Sequence, residues 1–372
     1  MRKINILLLC FLFFIVIRTG YSQSRKIIEI PDIPGYHTLK GDFHMHTVFS
    51  DGTVWPTVRV EEAWIEGLDV IAITDHIEYQ PHSKDVVADH NRSFEIAKPL
   101  ADKLGILLVR SAEITRSMPP GHLNALFISN ANLLERDDVF DALKEARDQG
   151  AFIFWNHPGW KAQQPDTTLW WEEHTRLLNQ DLLHGIEVFN SKEYYPEAID
   201  WAVGKKLTMF GNTDVHSPIG MSYDLYKHHR PMTLVFAKNK TLRGVKDALF
   251  NQRTVVYFEN TLMGNSSMLE PLFFASLNIE KSPLGIANGD VRIVEIENNS
   301  DVDYELELVQ PGVGFDAPET LSLKAHHVTP VELRGNSDQV ITMDQLKAYY
   351  KVKNMVVGSN ENLVVTFSFS NK

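Results

Sequence analysis

Histidine and carboxylate residues recur along this chain in a pattern suited to divalent metal ions. His44-Met45-His46 closes the first apolar run. Side chains two apart on a strand point the same way, roughly 6–7 Å apart along it, so two imidazoles can converge on one ion. Asp51 follows within Ser50-Asp51-Gly52. The run 70–74 ends in Asp75-His76, Glu113 follows the run 106–109, and His122 precedes the run 123–128. The run 152–155 ends in Asn156-His157-Pro158, and 208–210 leads to Asp214-Val215-His216. A single histidine at a strand end is ordinarily a hydrogen-bonded structural residue. Two i, i+2 pairs together with further candidates at successive strand ends call for another explanation, and metal ligation supplies one.

The elements that must position these residues alternate. Between the apolar runs lie stretches with helical spacing at 58–67, 92–104, 139–149 and 198–205. Gly67, Gly105 and Gly150 each end such a stretch just before the next strand, where a helix C-terminal glycine belongs. Alternating strand and helix predicts an α/β fold with a parallel sheet, barrel or open. In a barrel the C-terminal strand ends share one face, so ligands distant in sequence meet there. After about Gly264 the pattern turns to strict alternation, as in Tyr304-Glu305-Leu306-Glu307-Leu308 and in Leu363, Val365, Phe367 and Phe369. Turn residues at Asn288-Gly289, Pro311-Gly312 and Gly335-Asn336 separate these runs, predicting a small all-β sandwich.

The order of motifs resembles the polymerase-and-histidinol-phosphatase (PHP) superfamily. The matching residues are Asp42-Phe43-His44-Met45-His46-Thr47, Ser50-Asp51-Gly52, Ile73-Thr74-Asp75-His76, Glu113, His122, His157-Pro158 and Asp214-Val215-His216, spanning about 41–258. The resemblance is closest to exported bacterial PHP phosphodiesterases. It implies a distorted (β/α)7 barrel carrying two or three divalent metals, followed here by the small all-β sandwich domain. It implies as ligands His44, His46, Asp51, His76, Glu113, His122, His157, Asp214 and His216, and no family position is lost. The domains expected are a signal peptide at 1–23, a PHP-like hydrolase at 24–263 and a β-sandwich at 264–372.

The chemistry of the residues agrees. Imidazole and carboxylate donors without thiolate suit Mn, Zn, Fe or Co. Three carboxylates and neutral imidazoles around three divalent ions leave a charge of about +3, which suits an anionic phosphate ester. Glu113 as a bridge, with Asp214, would hold two ions around a hydroxide directed at phosphorus. Asp42 and Asp75 are expected to accept from ligand imidazole N–H groups. Arg116, Asn190 and Lys192 are the candidate substrate contacts. Trp155, Trp160, Trp170 and Trp171 could wall the pocket or fill the core. Lys227-His228-His229-Arg230 reads as a solvated loop, and His326-His327 as surface.

Compartment and charge narrow the function further. Arg2 and Lys3 precede an apolar run at 4–17, about the length of a secretory signal and shorter than a spanning helix. Cleavage near 22–24 would give an exported, periplasmic or extracellular protein without stable membrane insertion. The single cysteine, Cys10, lies in that run, so the mature chain carries no disulfide. Losing Arg2, Lys3 and Arg18 takes the net charge from −12 to −15. Such a chain is a poor partner for nucleic acid. The oligomeric state is not readable. Amide or lactone hydrolysis is the rival chemistry, since a metal-activated nucleophile also attacks carbonyl carbon, and a non-enzymatic cell-surface binding protein is the rival outside catalysis.

Overall fold

The structure, a computed structural model, describes residues 24–279, 285–342 and 345–369; the predicted signal peptide lies outside them. Among the described residues no helix is long and apolar enough to cross a membrane. Strands β1 (His37–Asp42), β2 (Val70–Ile73) and β3 (Leu107–Ile114) pair in parallel. Helix α1 (Pro56–Ile65) joins β1 to β2, and α2 (Arg92–Leu104) joins β2 to β3. Next, β4 (Leu123–Leu126) runs antiparallel to both β3 and β5 (Phe152–Trp155). β6 (Gly185–Asn190) lies parallel to β5, carries the short hairpin strand β7 (Glu193–Tyr194), and pairs in parallel with β8 (Thr208–Asn212). Helices α3 (Val139–Asp148), α4 (Glu172–Asn179) and α5 (Pro196–Lys205) link these later strands.

The sheet is therefore mixed, where alternation predicted parallel strands throughout. A parallel crossover needs a dozen or more residues. The chain between β3 and β4 spans only 115–122, so it must reverse. The four predicted helices form at Pro56–Ile65, Arg92–Leu104, Val139–Asp148 and Pro196–Lys205. Gly67, Gly105 and Gly150 take left-handed φ values of 84°, 73° and 79°, as their position after helices requires.

Closure happens just beyond the strand ends. Met45 and Val215 form a parallel bridge, with Asp214 N donating to His44 O (2.8 Å) and His46 N to Val215 O (3.0 Å). Lower down, β9 (Met232–Ala237) pairs antiparallel with β1, and β10 (Thr254–Phe258) with β9. Their side chains seal the seam to β8: Gly211 N donates to Thr233 Oγ1 (3.0 Å) and Thr254 Oγ1 to Met209 O (2.8 Å). A Cβ on Gly211 would lie 2.2 Å from Val256 Cγ1, so only glycine permits this approach.

Helix α6 (Ile219–Ser222) follows β8, α7 (Leu242–Phe250) joins β9 to β10, and the chain then passes through β11 (Thr261–Gly264) into α8 (Ser266–Ala275).

Helix α8 corrects one expectation, because the region after Gly264 opens on a helix and only then becomes β. Leu269, Leu272 and Phe273 are its buried face, at helical spacing, and Pro271 sits inside it. Beyond it, β12 (Leu277–Ile279), β13 (Val291–Asn298), β15 (Phe315–Asp316) and β17 (Val328–Gly335) form one antiparallel sheet. β14 (Tyr304–Gln310), β16 (Thr320–Leu323), β18 (Lys347–Gly358) and β19 (Glu361–Ser368) form the facing layer. Tyr304, Leu306, Leu363, Val365, Phe367 and Phe369 are all buried between them, as their alternation predicted. β18 also pairs in parallel with β11, which pairs with β10, so one continuous sheet runs from the barrel into the sandwich.

Phe273 packs edge-on against Tyr304 (5.1 Å between centroids) and Phe367 (6.2 Å), anchoring α8 in the sandwich core. Phe273→Ala is expected to cost about 3–5 kcal/mol. All seven tryptophans lie at or before Trp201. If the continuous sheet couples the two parts, tryptophan fluorescence will report a lowered Tm for this distant variant; an unchanged fluorescence Tm would show that the two parts unfold independently.

Candidate metal centre

His44 and His46 leave the end of β1 on one face, and both are fully buried. Their Nε2 atoms meet the same two carboxylate oxygens. His44 Nε2 lies 3.1 Å from Glu113 Oε2 and 3.2 Å from Asp214 Oδ1; for His46 Nε2 the distances are 3.3 and 3.0 Å. The other oxygen of Glu113 faces a different pair, with His122 Nδ1 at 2.7 Å and His157 Nε2 at 3.9 Å. A third group gathers on Asp51 Oδ1, with His216 Nε2 at 3.2 Å and His76 Nε2 at 3.4 Å. All nine predicted ligands are thus brought together, and Glu113 joins the first group to the second.

The backbone is bent to achieve this. His157 and Asp214 adopt left-handed φ values of 29° and 51°, which cost non-glycine residues on the order of 1–3 kcal/mol each. Hydrogen bonds hold both in place: His157 N donates to Glu187 Oε2 (2.7 Å) and Asp214 N to His44 O (2.8 Å). Asp51 is carried on a turn that folds over the His46 backbone. A Cβ on Gly52 would sit 2.6 Å from His46 C and Thr47 N, so glycine is required there.

The donor set fits divalent ions. Every side-chain donor is an imidazole nitrogen or carboxylate oxygen, which suits borderline metals. Buried His46 Nε2, Asp51 Oδ1, Glu113 Oε1 and His122 Nδ1 have no hydrogen-bond partner, at least one such atom in each group. Glu113 Oε1 and His122 Nδ1 come within 2.7 Å without hydrogen-bond geometry, an arrangement that suits two donors to a shared cation. Buried polar atoms are ordinarily satisfied, so orphans gathered at one point indicate a missing partner.

Electrostatics point the same way. Burial works against protonating His44, yet the carboxylates of Asp214, Glu187 and Glu113 hold its pKa well above the ordinary imidazole value. Burial also opposes protonation of His76, but Glu113 and Asp51 push it up to about 9. Desolvation would raise Asp51 and Asp214, but the surrounding imidazoles hold both far below the usual carboxylate range. The cluster favours positive charge, whether carried by protons or by metal.

Glu187, which sequence reasoning missed, organises the centre. It is fully buried, and Oε1 accepts from His44 Nδ1 and Asn212 Nδ2, both at 2.9 Å. Oε2 accepts from His157 N (2.7 Å) and Asn190 Nδ2 (2.8 Å). The signal available was a lone acid inside the apolar run 186–189. By fixing Nδ1–H of His44, Glu187 directs Nε2 towards the Glu113 and Asp214 carboxylates.

Asp42 and Asp75 were expected in this role, and neither touches an imidazole. Asp42 accepts from Thr213 Oγ1 (2.6 Å), Arg230 Nη1 (3.0 Å), Thr213 N (3.2 Å) and His44 N (3.3 Å). Asp75 accepts from Thr47 N (2.7 Å), Thr47 Oγ1 (2.8 Å) and Ser50 Oγ (2.9 Å). Asp42 thus holds the His44 and Thr213 amides, and Asp75 holds the Thr47 amide together with the Thr47 and Ser50 hydroxyls. The loop 227–230 is solvated only at Lys227 and His228, both exposed. Arg230 is fully buried, its Nε donating to Glu66 Oε2 at 2.8 Å, and His229 stacks on Tyr257 at 4.1 Å. His326 is half-exposed and meets Asp301, as a surface residue can.

The groups open into a cavity of about 560 Å³ whose wall includes Tyr79, Trp160, Asn190 and Lys192. Trp160 sets its edge against His122 and His157, whereas Trp155 stacks between His174 and Trp201 in the core. Trp170 and Trp171 are likewise absent from the cavity wall. Arg116 does not reach it. Its guanidinium pairs with Glu78 and donates to the Thr115 and Arg136 carbonyls, outside the cavity wall.

The chain resembles a solved structure from Bacteroides vulgatus, a two-domain protein containing a predicted PHP-like metal-dependent phosphoesterase. The two are 46% identical, with 93% of this chain and 99% of that one covered at a TM-score of 0.86. This chain belongs to the PHP superfamily. A metal-dependent phosphoesterase structure from Bifidobacterium adolescentis, so described provisionally, matches the PHP protein at 17% identity over 47% of this chain and 87% of its own, TM-score 0.39. A Chromobacterium violaceum amidohydrolase with bound sulfate and no metal matches at 17% over 48% and 88%, TM-score 0.37. Residues 277–368 match an Ig-like domain family. No curated protein matches the chain.

Two outcomes follow from this geometry. Glu187→Ala is expected to weaken metal binding about 10–100-fold, as loss of an orienting carboxylate does, measured by calorimetric titration of the stripped protein with Mn²⁺ or Zn²⁺. Unchanged affinity would remove Glu187 from the centre. The second concerns pH. His76 is held protonated to about 9 in the fold, against about 6.5 unfolded. Its contribution is complete below 6.5 and lost as pH rises through 9. The Tm of metal-stripped protein should fall across that window, while that of metal-loaded protein, with no proton on His76, should not.

Proposed function

We propose that this PHP protein is an exported hydrolase that cleaves small phosphate esters with two or three divalent ions, Mn, Zn, Fe or Co. The observation that carries the reading is Glu113, a fully buried carboxylate whose two oxygens face two separate groups of imidazoles beneath an open cavity lined by His122, His157 and Asp214. In this reading His44, His46, Glu113 and Asp214 hold one ion and Glu113, His122 and His157 a second. Asp51, His76 and His216 form the third group. Bound divalent ions supply Lewis-acid charge for phosphoryl oxygens and lower the pKa of water.

The chain's own residues supply the rest. Asp214 turns Oδ1 towards His44 and His46 and Oδ2 towards His157 (4.0 Å), so it ties the first two groups together as Glu113 does. Lys192, exposed on the rim, can hold a non-bridging phosphate oxygen as a point charge. Asn190 is locked on Glu187 and keeps the β6 end in place beneath the substrate. Trp160 closes one side against water. A net charge of −15 after loss of the export segment disfavours long polyanions, whereas a small ester meets the cationic centre alone.

The test compares kcat/KM for a bis-aryl phosphate, an aryl phosphate, an aryl amide and single-stranded DNA on the metal-loaded full chain. One or both phosphates should lead, and Asp214→Asn should cut their turnover by about 10³-fold or more while the far-UV spectrum stays native. Faster amide cleavage would replace the phosphoesterase reading with the amide one, and rapid DNA degradation would replace the small-ester one.

A further inference from the structure

Beside the metal cavity lies a second cavity of about 530 Å³, and Lys192 belongs to the walls of both. The ridge between them is the turn from β6 into β7. Ser191 at its tip adopts a left-handed φ of 56°, and its carbonyl accepts from the Tyr223 hydroxyl at 3.0 Å. Lys192 Nζ stands 5.8 Å from the ring centroid of Tyr223, which lines the second cavity, while Lys192 itself lines both.

The second cavity has a distinct chemistry. Phe189, Tyr223, Phe258, Met263 and Val356 give it an apolar, largely aromatic floor. Phe258 packs tilted on Phe189 (4.9 Å) and edge-on to Tyr223 (6.3 Å), which holds the rings in fixed positions. Glu259 and Asp224, the latter paired with Lys227 (2.9 Å), stand at its margin together with His228. Carboxylates accept from hydroxyl groups and repel a second phosphate, and ring faces stack on aromatic floors. Val356 comes from β18 of the Ig-like part and is placed by pairing with Met263. That part therefore completes the wall.

We infer that the second cavity is a subsite for the uncleaved arm of a phosphodiester, and that this arm is an uncharged, hydroxyl-bearing ring such as a nucleoside or a sugar. This rests on the phosphoesterase reading. With the phosphate at the metal centre, Lys192 meets its charge and the ring crosses the ridge to lie on Phe258 and Tyr223. A monoester leaves this cavity unused.

The experiment measures kcat/KM on the metal-loaded full chain for three nitrophenyl phosphodiesters, with thymidine, glucose or methyl as second arm. At least one ring arm should exceed the methyl arm by about tenfold or more, and the two ring arms tell the sources apart. Val356→Trp and Thr261→Trp, which fill the cavity from two sides, should each bring that ratio close to one. Equal turnover of all three arms by the unaltered protein, or a ratio that survives both substitutions, overturns the subsite. If none of the esters is cleaved, the phosphoesterase reading has failed separately, and calorimetric titration with thymidine and with glucose decides the cavity. Binding that both tryptophan variants abolish supports it; no binding of either compound, or binding that survives the tryptophan variants, overturns it.

Discussion

Four carboxylates, from Asp51, Glu113, Glu187 and Asp214, crowd the open end of this barrel, and Glu113 and Glu187 have no contact with solvent. A buried carboxylate is stable only where positive charge or N–H donors meet it, since uncompensated burial costs several kcal/mol. Glu187 is answered by two side-chain amides, one imidazole and one backbone amide. Glu113 is answered by imidazole nitrogens alone, with Oε1 left without a hydrogen bond. That asymmetry separates the carboxylate that orients an imidazole from the one free to hold a cation. The left-handed turns at His157 and Asp214 follow from the same demand, because only they aim the side chains at the shared point.

Beneath this lies a second layer of charge that acts on backbone. Arg230 spans Asp42 and Glu66, and Asp42 passes the constraint to the His44 and Thr213 amides. Arg59 donates to the carbonyls of His46 (2.9 Å), Val215 (2.9 Å) and Ser217 (3.0 Å) and pairs with Glu62. Each of the two strand ends carrying an i, i+2 pair is thereby held by an arginine and an aspartate. Breaking one member of such a buried set leaves its partner uncompensated, which is more costly than the pair is stabilising. The site is thus supported from below by ion pairs and shaped from above by the cavity walls.

The Ig-like part is joined to the barrel in several ways. β18 extends the barrel's own sheet through β11, and α8 seats Phe273 in the sandwich core. On the opposite side Glu29 N donates to Asp301 Oδ2 and Asp301 N to Glu29 O, so the segment before β1 is stitched to the loop before β14. Val356 then reaches the wall of a cavity next to the metal centre. A domain held by a continuous sheet can contribute to substrate recognition without the entropy cost of ordering a mobile partner.

The residues that cluster at the candidate metal centre were legible in the sequence because metal chemistry needs particular side chains and strands present them at fixed intervals. His44 and His46, or Asp214 and His216, can be read as pairs from the two-residue period alone, and the glycine stops and alternating apolar residues fixed where elements begin and end. Glu187, Arg230 and Arg59 were not legible in the same way. A lone charge in an apolar run becomes meaningful only when its partners, up to 188 residues away in the case of Asp42 and Arg230, are known. The same holds for β4, whose direction depends on a connection too short to cross over, and for α8, whose proline concealed a helical face. Arg116 shows the limit from the other side: it was a candidate substrate contact, but its guanidinium is taken up by Glu78 and by the Thr115 and Arg136 carbonyls. Residue type and local period determined which atoms could bind metal; long-range pairing of buried charge decided how those atoms are aimed, because the energy of a buried charge is set by neighbours that local sequence does not contain.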